Sequence, residues 1–316
     1  MAGLSIVVPV LNEAGNIANL HHEISDVCNR LTQEGRIEKY EIIIVDDGSD
    51  DGTDEICRNL RPLKYIRMRK NFGQTAAMDA GIKASQYDYI VTMDGDGQND
   101  PADIPNLLAY LLENDLDVVS GWRKNRKDTF MKRFTSRGAN VLRHMLIHDG
   151  IHDSGCSLKI YRRECFKGVN LYGEQHRFIP AILKIKGFRI GEIVVNHRPR
   201  TAGKTKYNWK RTIKGFVDML SVWFWNKYST RPLHLMGGMG MLFLAGGFGC
   251  GIWSIVLFLQ GRKMSQNIFP PLLTIFFIVI GVLLFVFGLM SEILVKTYYG
   301  VHVDTSYSVK TIEDLN

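Results

Sequence analysis

The chain has 316 residues, a formal net charge of +7 and 46% hydrophobic residues. This length allows one large domain or two small ones, and the composition is globular up to about residue 230, where it becomes strongly apolar. Five cysteines without a Cys-x-x-Cys pair argue against a disulfide framework or a zinc site and fit a reducing cytosol. The basic residues collect beside the apolar segments, which favours contact with anionic lipid or phosphates, or a basic face without a ligand, over nucleic-acid binding.

The first part of the chain alternates predicted strands and helices. Residues 4–10 indicate a buried strand and not a signal peptide, because they lack a basic flank and a small-residue cleavage site. Apolar residues then recur at three- and four-residue steps over residues 12–30, which predicts a helix. Residues 40–45 predict a second buried strand, which ends in an acidic, glycine-bearing loop at residues 46–53. This alternation is typical of a parallel sheet with crossover helices.

Residues 89–101 form an apolar strand that ends at two carboxylates, Asp94 and Asp96. In an extended segment, side chains two positions apart point the same way, so both carboxylates can bind one hard cation if the strand continues to its end. Gln98 would add a carbonyl oxygen, and Asp100 is expected to cap the helix that follows. Such a metal keeps open positions for a diphosphate. The alternative is a turn whose Asp residues only cap a helix.

Ligands of parallel sheets bind beyond the carboxyl ends of the strands. The loops that fall at those ends are residues 9–13, 46–47 and 94–98. We therefore expect one shared site. A further predicted strand at residues 117–121 opens into a basic loop at residues 122–127, which would supply positive charge beside a metal-bound diphosphate, or would simply be a solvated surface. Arg133 and Arg137 follow at four-residue spacing and share one face of a predicted helix.

Two segments of the C-terminal part, residues 233–259 and 272–291, contain no Asp, Glu, Lys or Arg. Each is long enough to cross a hydrocarbon core, which takes about 20 helical residues, so they predict a membrane hairpin. Many basic residues lie just before the first span, whereas the connecting loop holds only Arg262 and Lys263. The positive-inside rule then predicts an integral membrane protein whose N-terminal domain and tail are cytoplasmic.

The predicted organisation has four parts. They are a catalytic domain at residues 1–205, an interfacial amphipathic helix region at 206–231, two transmembrane helices at 232–296 and a cytoplasmic tail at 297–316. Gly247 and Gly251 form a Gly-x-x-x-Gly pattern, which would let helices approach closely within the hairpin or between subunits of a homo-oligomer.

Several motifs, in this order, resemble those of family-two glycosyltransferases with the GT-A fold. They are residues 8–13, 45–49, 69–73 and 94–98, followed by the membrane hairpin. More narrowly, the chain resembles the polyprenyl-phosphate sugar synthases, the group of dolichol-phosphate mannose synthase and bactoprenol glucosyltransferase. The resemblance implies an α/β fold, with a Rossmann-like, mostly parallel sheet that has helices on both faces. It also implies a metal-dependent, inverting transfer of one sugar, mannose or glucose, from a nucleotide-diphosphate sugar to dolichyl or undecaprenyl phosphate at the cytoplasmic membrane face.

The resemblance assigns roles to individual residues. The nucleotide would be bound by Pro9, Leu11, Glu13, Asp46, Asp47 and Asp94. The metal, Mg²⁺ or Mn²⁺, would be bound by Asp94, Asp96 and Gln98. The acceptor phosphate would be bound by Arg123, Arg133, Arg137, Arg200 and Lys204. The catalytic residues would be Asp96, Arg123, Arg133 and Asp153. Leu11 stands where the family commonly has Tyr or Phe, and Gly95 and Gly97 interrupt the family's usual acidic-Leu-Gln pattern, so the donor base and sugar stay open.

Two other functions fit parts of the sequence. A processive polysaccharide synthase would share the fold, but residues 175–178 have the wrong spacing for its Gln-x-x-Arg-Trp motif, and two spans cannot line a channel. A catalytically inactive, membrane-anchored nucleotide-sugar sensor is the other alternative, against which the retained acidic and basic residues count.

Overall fold

The computed structural model describes residues 3–124, 150–199, 220, 223–224, 227–228, 231–262 and 267–301. The chain forms two compact units, Met1–Trp223 and Phe224–Asn316. Most of the predicted interfacial helix region, residues 206–231, lies outside the described residues, so this helix stays a prediction.

The N-terminal unit is built on a seven-stranded sheet. Its strands are β1 (Leu4–Val10), β2 (Tyr40–Asp46), β3 (Lys64–Arg67), β4 (Tyr89–Thr92), β5 (Val118–Trp122), β6 (Lys159–Arg162) and β7 (Ile190–Val194). Their spatial order is β3-β2-β1-β4-β6-β5-β7, and only β6 runs antiparallel to its neighbours. This arrangement confirms the predicted mostly parallel sheet. The sequence analysis missed β6, because its four residues are too short to show a period of their own.

Helices cover both faces of this sheet. They are α1 (Ile17–Gln33), α2 (Thr53–Asn59), α3 (Gln74–Ala84), α4 (Ile104–Glu113) and α5 (Ile179–Ile185). Alternate residues of β1 enter different cores: Ile6 packs in the core that α1 and α4 cover, whereas Val7 packs in the core under α3 and α5. The predicted helix over residues 12–30 in fact begins at Ile17, because residues 12–14 are hydrogen-bonded to the loop after β2.

The strand register brings the predicted loops to one edge. Val10 of β1 pairs with Asp46 of β2, so these two strands end level with each other. β4 is parallel to β1 but ends at Thr92 beside Val7, so the residues that follow it lead to the same edge. Since β6 is antiparallel to both β4 and β5, β5 runs in the same direction as β4 and its end at Trp122 reaches the same edge. The predicted loops thus lie at one edge of the sheet, and a ligand site shared by them stays a prediction.

The C-terminal unit contains two long apolar helices, α6 (Pro232–Leu259) and α7 (Phe269–Val301). Pro232–Leu259 and Phe269–Thr297 are long and apolar enough to cross a membrane, and only 6% and 11% of their most apolar windows are buried. A core helix of a soluble protein would be mostly buried, so this exposure favours the predicted hairpin.

Glycines line the contact between the two apolar helices. A Cβ atom on Gly247 would lie 2.8 Å from Ile278 Cγ1, and one on Gly240 would lie 2.8 Å from the carbonyl oxygen of Gly281. Gly251 faces Thr274 at the looser distance of 3.4 Å. The Gly-x-x-x-Gly pattern therefore serves close packing within one hairpin, the first of the two alternatives.

We expect Gly240→Ala to loosen the hairpin, because its new methyl group would meet backbone that cannot move aside. Gly238→Ala is the matched control: its Cβ would meet nothing within 4 Å, and alanine favours a helix. Thermal unfolding in detergent should show a lower midpoint for the first variant, with a difference of about 1–3 kcal/mol between the two. Equal midpoints would contradict this packing.

Candidate active site

The loop after β2 is organised by Asp46, a fully buried carboxylate. Its Oδ1 atom accepts hydrogen bonds from the backbone N–H and the hydroxyl of Ser49, at 2.8 and 2.6 Å. Its Oδ2 atom accepts one from the Tyr65 hydroxyl at 2.7 Å. Because both oxygens bind donors of the protein itself, Asp46 shapes the turn, and its predicted contact with a nucleotide stays a prediction.

Asp47 joins two of the sequence motifs. Its carboxylate accepts hydrogen bonds from the backbone N–H groups of Phe72 and Gly73, at 2.7 and 2.9 Å. The turn between them passes so close that a Cβ on Gly48 would lie 2.8 Å from the Lys70 carbonyl carbon. Residues 45–49 and 69–73 therefore form one continuous surface, which the sequence showed only as two separate motifs.

We expect Gly48→Ala to destabilise this surface. Gly48 has a φ of +81°, where alanine is strained, and its Cβ would also meet backbone. Gly52→Ala is the matched control, because Gly52 has a similar φ of +90° but nothing within 4 Å of its Cβ position. Comparing the two variants therefore separates the crowding at Gly48 from the backbone strain that both share. The thermal midpoint of the Gly48 variant should be lower, by an amount that corresponds to about 1–3 kcal/mol. If the two midpoints agreed, the crowding at Lys70 would have no energetic weight.

The loop after β1 is tied to the same region. Asn12, at a left-handed φ of +58°, donates its backbone N–H to Ser49 Oγ at 2.9 Å, and Glu13 donates its own to Thr53 Oγ1 at 3.1 Å. Pro9 pairs with Val45 across the β1–β2 ladder, and Leu11 is half-buried at the end of β1. The structure thus brings the predicted residues Pro9, Leu11 and Glu13 to the edge that also carries Asp46 and Asp47.

Asp94 and Asp96 lie in a tight turn beyond β4. The strand ends at Thr92, and only the Met93 N–H still bonds to Val7, at 3.1 Å. The carboxylates are therefore placed by the turn and not by strand alternation, which corrects that part of the expectation. A Cβ on Gly95 would lie 2.5 Å from Val10 Cγ1, so the residue between the two Asp residues has to be small.

Each of the two carboxylates is held by a neighbour. Asp94 accepts a hydrogen bond from Gln74 Nε2 at 2.7 Å, and its backbone N–H donates to Ser157 Oγ at 3.2 Å. Asp96 is 8% exposed and accepts one from the Gln98 N–H at 3.1 Å. Burial, together with the negative charge of Asp96, raises the pKa of Asp94 above its ordinary value. A bound cation would relieve this unfavourable charge.

These residues fit a divalent metal that takes its remaining ligands from its substrate. Within the described parts of the chain, no group of three or more His, Cys, Asp or Glu side chains is placed to hold a metal. Two carboxylates completed by phosphate oxygens and water are, however, the usual donor set for Mg²⁺ at phosphoryl substrates. Gln98 uses its backbone carbonyl to accept from the Arg198 N–H at 2.9 Å, and the role of its side chain stays a prediction.

Arg123 and Asp153 form a two-pronged ion pair at the end of β5. Arg123 donates from Nε and Nη2 to the two Asp153 oxygens, at 2.7 and 3.0 Å, and the side chains are only 11% and 15% exposed. Burial alone would lower the pKa of Arg123, but the hydrogen bonds and charge of Asp153 raise it above its ordinary value. Two predicted catalytic residues are thus in direct contact.

Sequence reasoning missed three residues that support this site. Glu192 on β7 accepts hydrogen bonds from the backbone N–H groups of His152 and Asp153 at 3.0 Å, which fixes Asp153 opposite Arg123.

The other two residues are Ser157 and Lys159. Ser157 Oγ accepts hydrogen bonds from Asn99 Nδ2 at 2.7 Å and from the Asp94 N–H at 3.2 Å. Lys159, 2% exposed, donates to the carbonyl oxygens of Ser154 and Cys156, and burial lowers its pKa. None of the three residues belongs to a motif that the sequence analysis used.

Four predicted site residues lie outside the described residues. They are Arg133, Arg137, Arg200 and Lys204. Their predicted contacts with phosphate stay predictions, as does the catalytic role of Arg133.

The chain resembles known proteins along nearly its whole length. Residues 5–169 match the family described as Glycosyl transferase family 2. Dodecaprenyl-phosphate galacturonate synthase from Rhizobium johnstonii is 38% identical over 324 aligned residues, covering 98% of this chain and 93% of that protein. Undecaprenyl-phosphate 4-deoxy-4-formamido-L-arabinose transferase from Aeromonas hydrophila is 30% identical over 317, with the same coverage.

Solved structures share the fold. Glucosyl-3-phosphoglycerate synthase from Mycobacterium tuberculosis, in complex with Mn²⁺, UDP-glucose and phosphoglyceric acid, has a TM-score of 0.56 and 18% identity, covering 70% of this chain and 80% of that one. Mannosyl-3-phosphoglycerate synthase from Rubrobacter xylanophilus has a TM-score of 0.52 and 15% identity, covering 71% and 74%. At such identities the likeness concerns the fold alone. Since the family match spans more than half of the chain and the relatives align over 98% of it, the protein is a GT-A glycosyltransferase of family 2.

Proposed function

We propose that this enzyme transfers a single sugar from a nucleotide-diphosphate sugar to a polyprenyl phosphate at the cytoplasmic face of a membrane. The observation that carries the proposal is the meeting, at one sheet edge, of the carboxylates Asp94 and Asp96 with Arg123, in a chain that also has two long apolar helices. The names of both full-length relatives, one a dodecaprenyl-phosphate and one an undecaprenyl-phosphate enzyme, support this acceptor class.

Asp94 and Asp96 would hold the Mg²⁺ or Mn²⁺ ion, with Gln98 as the candidate third ligand. When bound, the metal offsets the negative charge that develops on the leaving nucleotide diphosphate. Asp96 is buried, and a hydrogen bond from the Gln98 N–H already holds its side chain in place. The carboxylate therefore does not have to reorder when the metal binds. The M. tuberculosis enzyme, which shares this fold, was solved in complex with Mn²⁺ and UDP-glucose, which supports testing Mn²⁺ beside Mg²⁺.

Arg123 is the residue suited to the acceptor phosphate. A guanidinium has five N–H donors, of which Asp153 accepts two, so the remaining donors can bind phosphate oxygens. A lipid phosphate is largely ionised near neutral pH, because its second pKa is about 6, and it therefore needs little help from a general base. Arg123 would orient this nucleophile towards the anomeric carbon, and direct attack from the far side would invert that carbon.

The residues of the candidate site do not identify the sugar, so an experiment has to do so. The resemblance of the motifs favoured mannose or glucose, whereas the two relatives are named for galacturonate and for 4-deoxy-4-formamido-L-arabinose. We therefore propose to test the nucleotide-diphosphate donors of all four sugars in parallel. Polyprenyl phosphate, the membrane and the cytoplasmic orientation belong to the same proposal; a homo-oligomer has no support in the described contacts.

The test is donor-dependent labelling of a short polyprenyl phosphate by the purified full-length protein, with Mg²⁺, with Mn²⁺ and with chelator. Dephosphorylated polyprenol and 3-phosphoglycerate serve as control acceptors. The expected result is one metal-dependent glycolipid that carries one sugar. Transfer to 3-phosphoglycerate but not to the lipid would overturn the acceptor class, and a product of several sugars would favour a processive synthase. Nucleotide binding without any transfer would favour the inactive sensor.

A further inference from the structure

The chain that follows β7 lies against the loop that carries the metal-binding candidates. We call residues 94–100 the metal loop and residues 195–199 the clasp segment. His197 forms an antiparallel bridge with Asn99, and the Arg198 N–H donates to the Gln98 carbonyl at 2.9 Å. The metal loop is thus extended sideways by a backbone partner that comes from about a hundred residues further along the chain.

Side chains of the clasp segment bind both oxygens of Asp100. Arg198 Nη2 donates to Oδ1 at 2.6 Å, and Asn196 Nδ2 donates to Oδ2 at 2.9 Å. The Asn196 N–H also donates to Asp103 Oδ2 at 2.7 Å. The clasp segment therefore binds Asp100 through both of its carboxylate oxygens and Asp103 through one.

Arg198 has a second carboxylate partner on another element. Its Nη1 atom donates to Glu23 Oε2 of α1 at 2.6 Å. One guanidinium therefore joins α1, the clasp segment and the metal loop. Partly exposed ion pairs contribute little to global stability, and both partners here are about 40% exposed, at 36% and 43%. A bridge of this kind is better suited to fixing local geometry than to holding the fold together.

We propose that Arg198 is a positioning residue for the metal loop. It holds the turn that carries Asp96 and Gln98 in the geometry that binds the cation, and it fixes to this turn the chain that continues directly into Arg200. The proposal rests on the proposed function. Mutating groups that orient metal ligands typically lowers metal affinity or activity by about 10–100-fold.

The direct test is amide hydrogen exchange on the purified full-length protein in detergent, with Arg198→Ala compared with Arg189→Ala. Arg189 is a matched control, because it also bridges two carboxylates, Asp115 and Asp117, at 2.6 and 3.8 Å, but it precedes β7 and lies at the opposite sheet edge. We expect residues 94–103 to exchange at least about tenfold faster in the Arg198 variant only. Similar exchange of residues 94–103 in both variants would overturn the proposal.

A second readout separates positioning from stability. The Mn²⁺ concentration for half-maximal transfer should rise about tenfold in Arg198→Ala, while the thermal midpoints of both variants stay close to that of the wild type. Glu23→Gln removes only the outer ion pair and should give a smaller rise, which keeps the test available if Arg198→Ala folds poorly. If the wild type transfers no sugar to polyprenyl phosphate, the proposed function fails, and hydrogen exchange still decides whether Arg198 holds the loop.

Discussion

Asp96→Ala is expected to abolish sugar transfer, with kcat/KM lower by at least about 100-fold, which corresponds to about 2.7 kcal/mol of transition-state stabilisation. The reason is the loss of one of only two carboxylates in the turn, both of which a metal needs if substrate oxygens complete its coordination. Asp96→Asn should be nearly as inactive, because it keeps the shape and removes the charge. Metal-dependent labelling of polyprenyl phosphate measures both variants.

The matched control for this experiment is Asp88→Ala. Asp88 lies directly before β4, whereas Asp96 lies beyond its other end, so the two residues belong to opposite edges of the sheet. Asp88 is exposed, and its carboxylate accepts a hydrogen bond from the Gly3 N–H at 3.3 Å. The control should keep nearly full activity. An Asp96→Ala enzyme as active as this control, with the same metal requirement, would show that the turn holds no catalytic metal.

The parts of the fold that the sequence predicted are those whose burial leaves a local signature. β1 and β2 are almost completely buried, so each appears as a mostly apolar run that ends at polar residues. Once their parallel pairing is assumed, the common edge follows, because the carboxyl ends of parallel strands lie at the same edge of a sheet. The two apolar helices carry an even stronger signature, since uncharged segments of that length are rare outside membranes.

The parts that were missed depend on contacts between distant segments. β6 is specified by its neighbours β4 and β5, which leave room for an antiparallel strand between them, and no pattern in its four residues announces this. The late start of α1 has the same kind of cause: Asn12 and Glu13 bond to Ser49 and Thr53, 37 and 40 residues away. Single-sequence periodicity contains no information about such partners.

The candidate site shows the same division. The motif around Asp94 and Asp96 identified the acidic turn, but the expected strand alternation was wrong, because the turn starts as soon as the ladder to β1 ends. Asp46 matched a nucleotide-binding motif, and the structure adds hydrogen bonds from Ser49 and Tyr65 that the motif did not indicate. A motif shows that an acidic residue is needed at a position. Which donors bind its carboxylate oxygens depends on the three-dimensional contacts, which the motif does not specify.

Arg123→Lys is expected to lower kcat about 100-fold and to change the KM for the nucleotide sugar by less than about threefold. Lysine keeps the positive charge, but its ammonium group cannot contact both Asp153 oxygens in the planar geometry of the observed pair, at 2.7 and 3.0 Å, and also present further donors to a phosphate. The loss should therefore appear in the orientation of the acceptor. Steady-state kinetics with donor and lipid varied separately resolves the two effects.

Arg162→Lys is the matched control for this variant. Arg162 also uses two guanidinium nitrogens, donating to the Leu116 carbonyl at 3.0 Å and to Asp115 at 3.3 Å, but it ends β6 at the edge away from the site. It should keep nearly wild-type kinetics, because nothing there depends on a bound phosphate. If Arg123→Lys were equally active, charge alone would suffice at this position, and Asp153 would be needed only to neutralise a buried cation. If both variants lost activity together with thermal stability, the loss would belong to the fold of the sheet and not to the acceptor site.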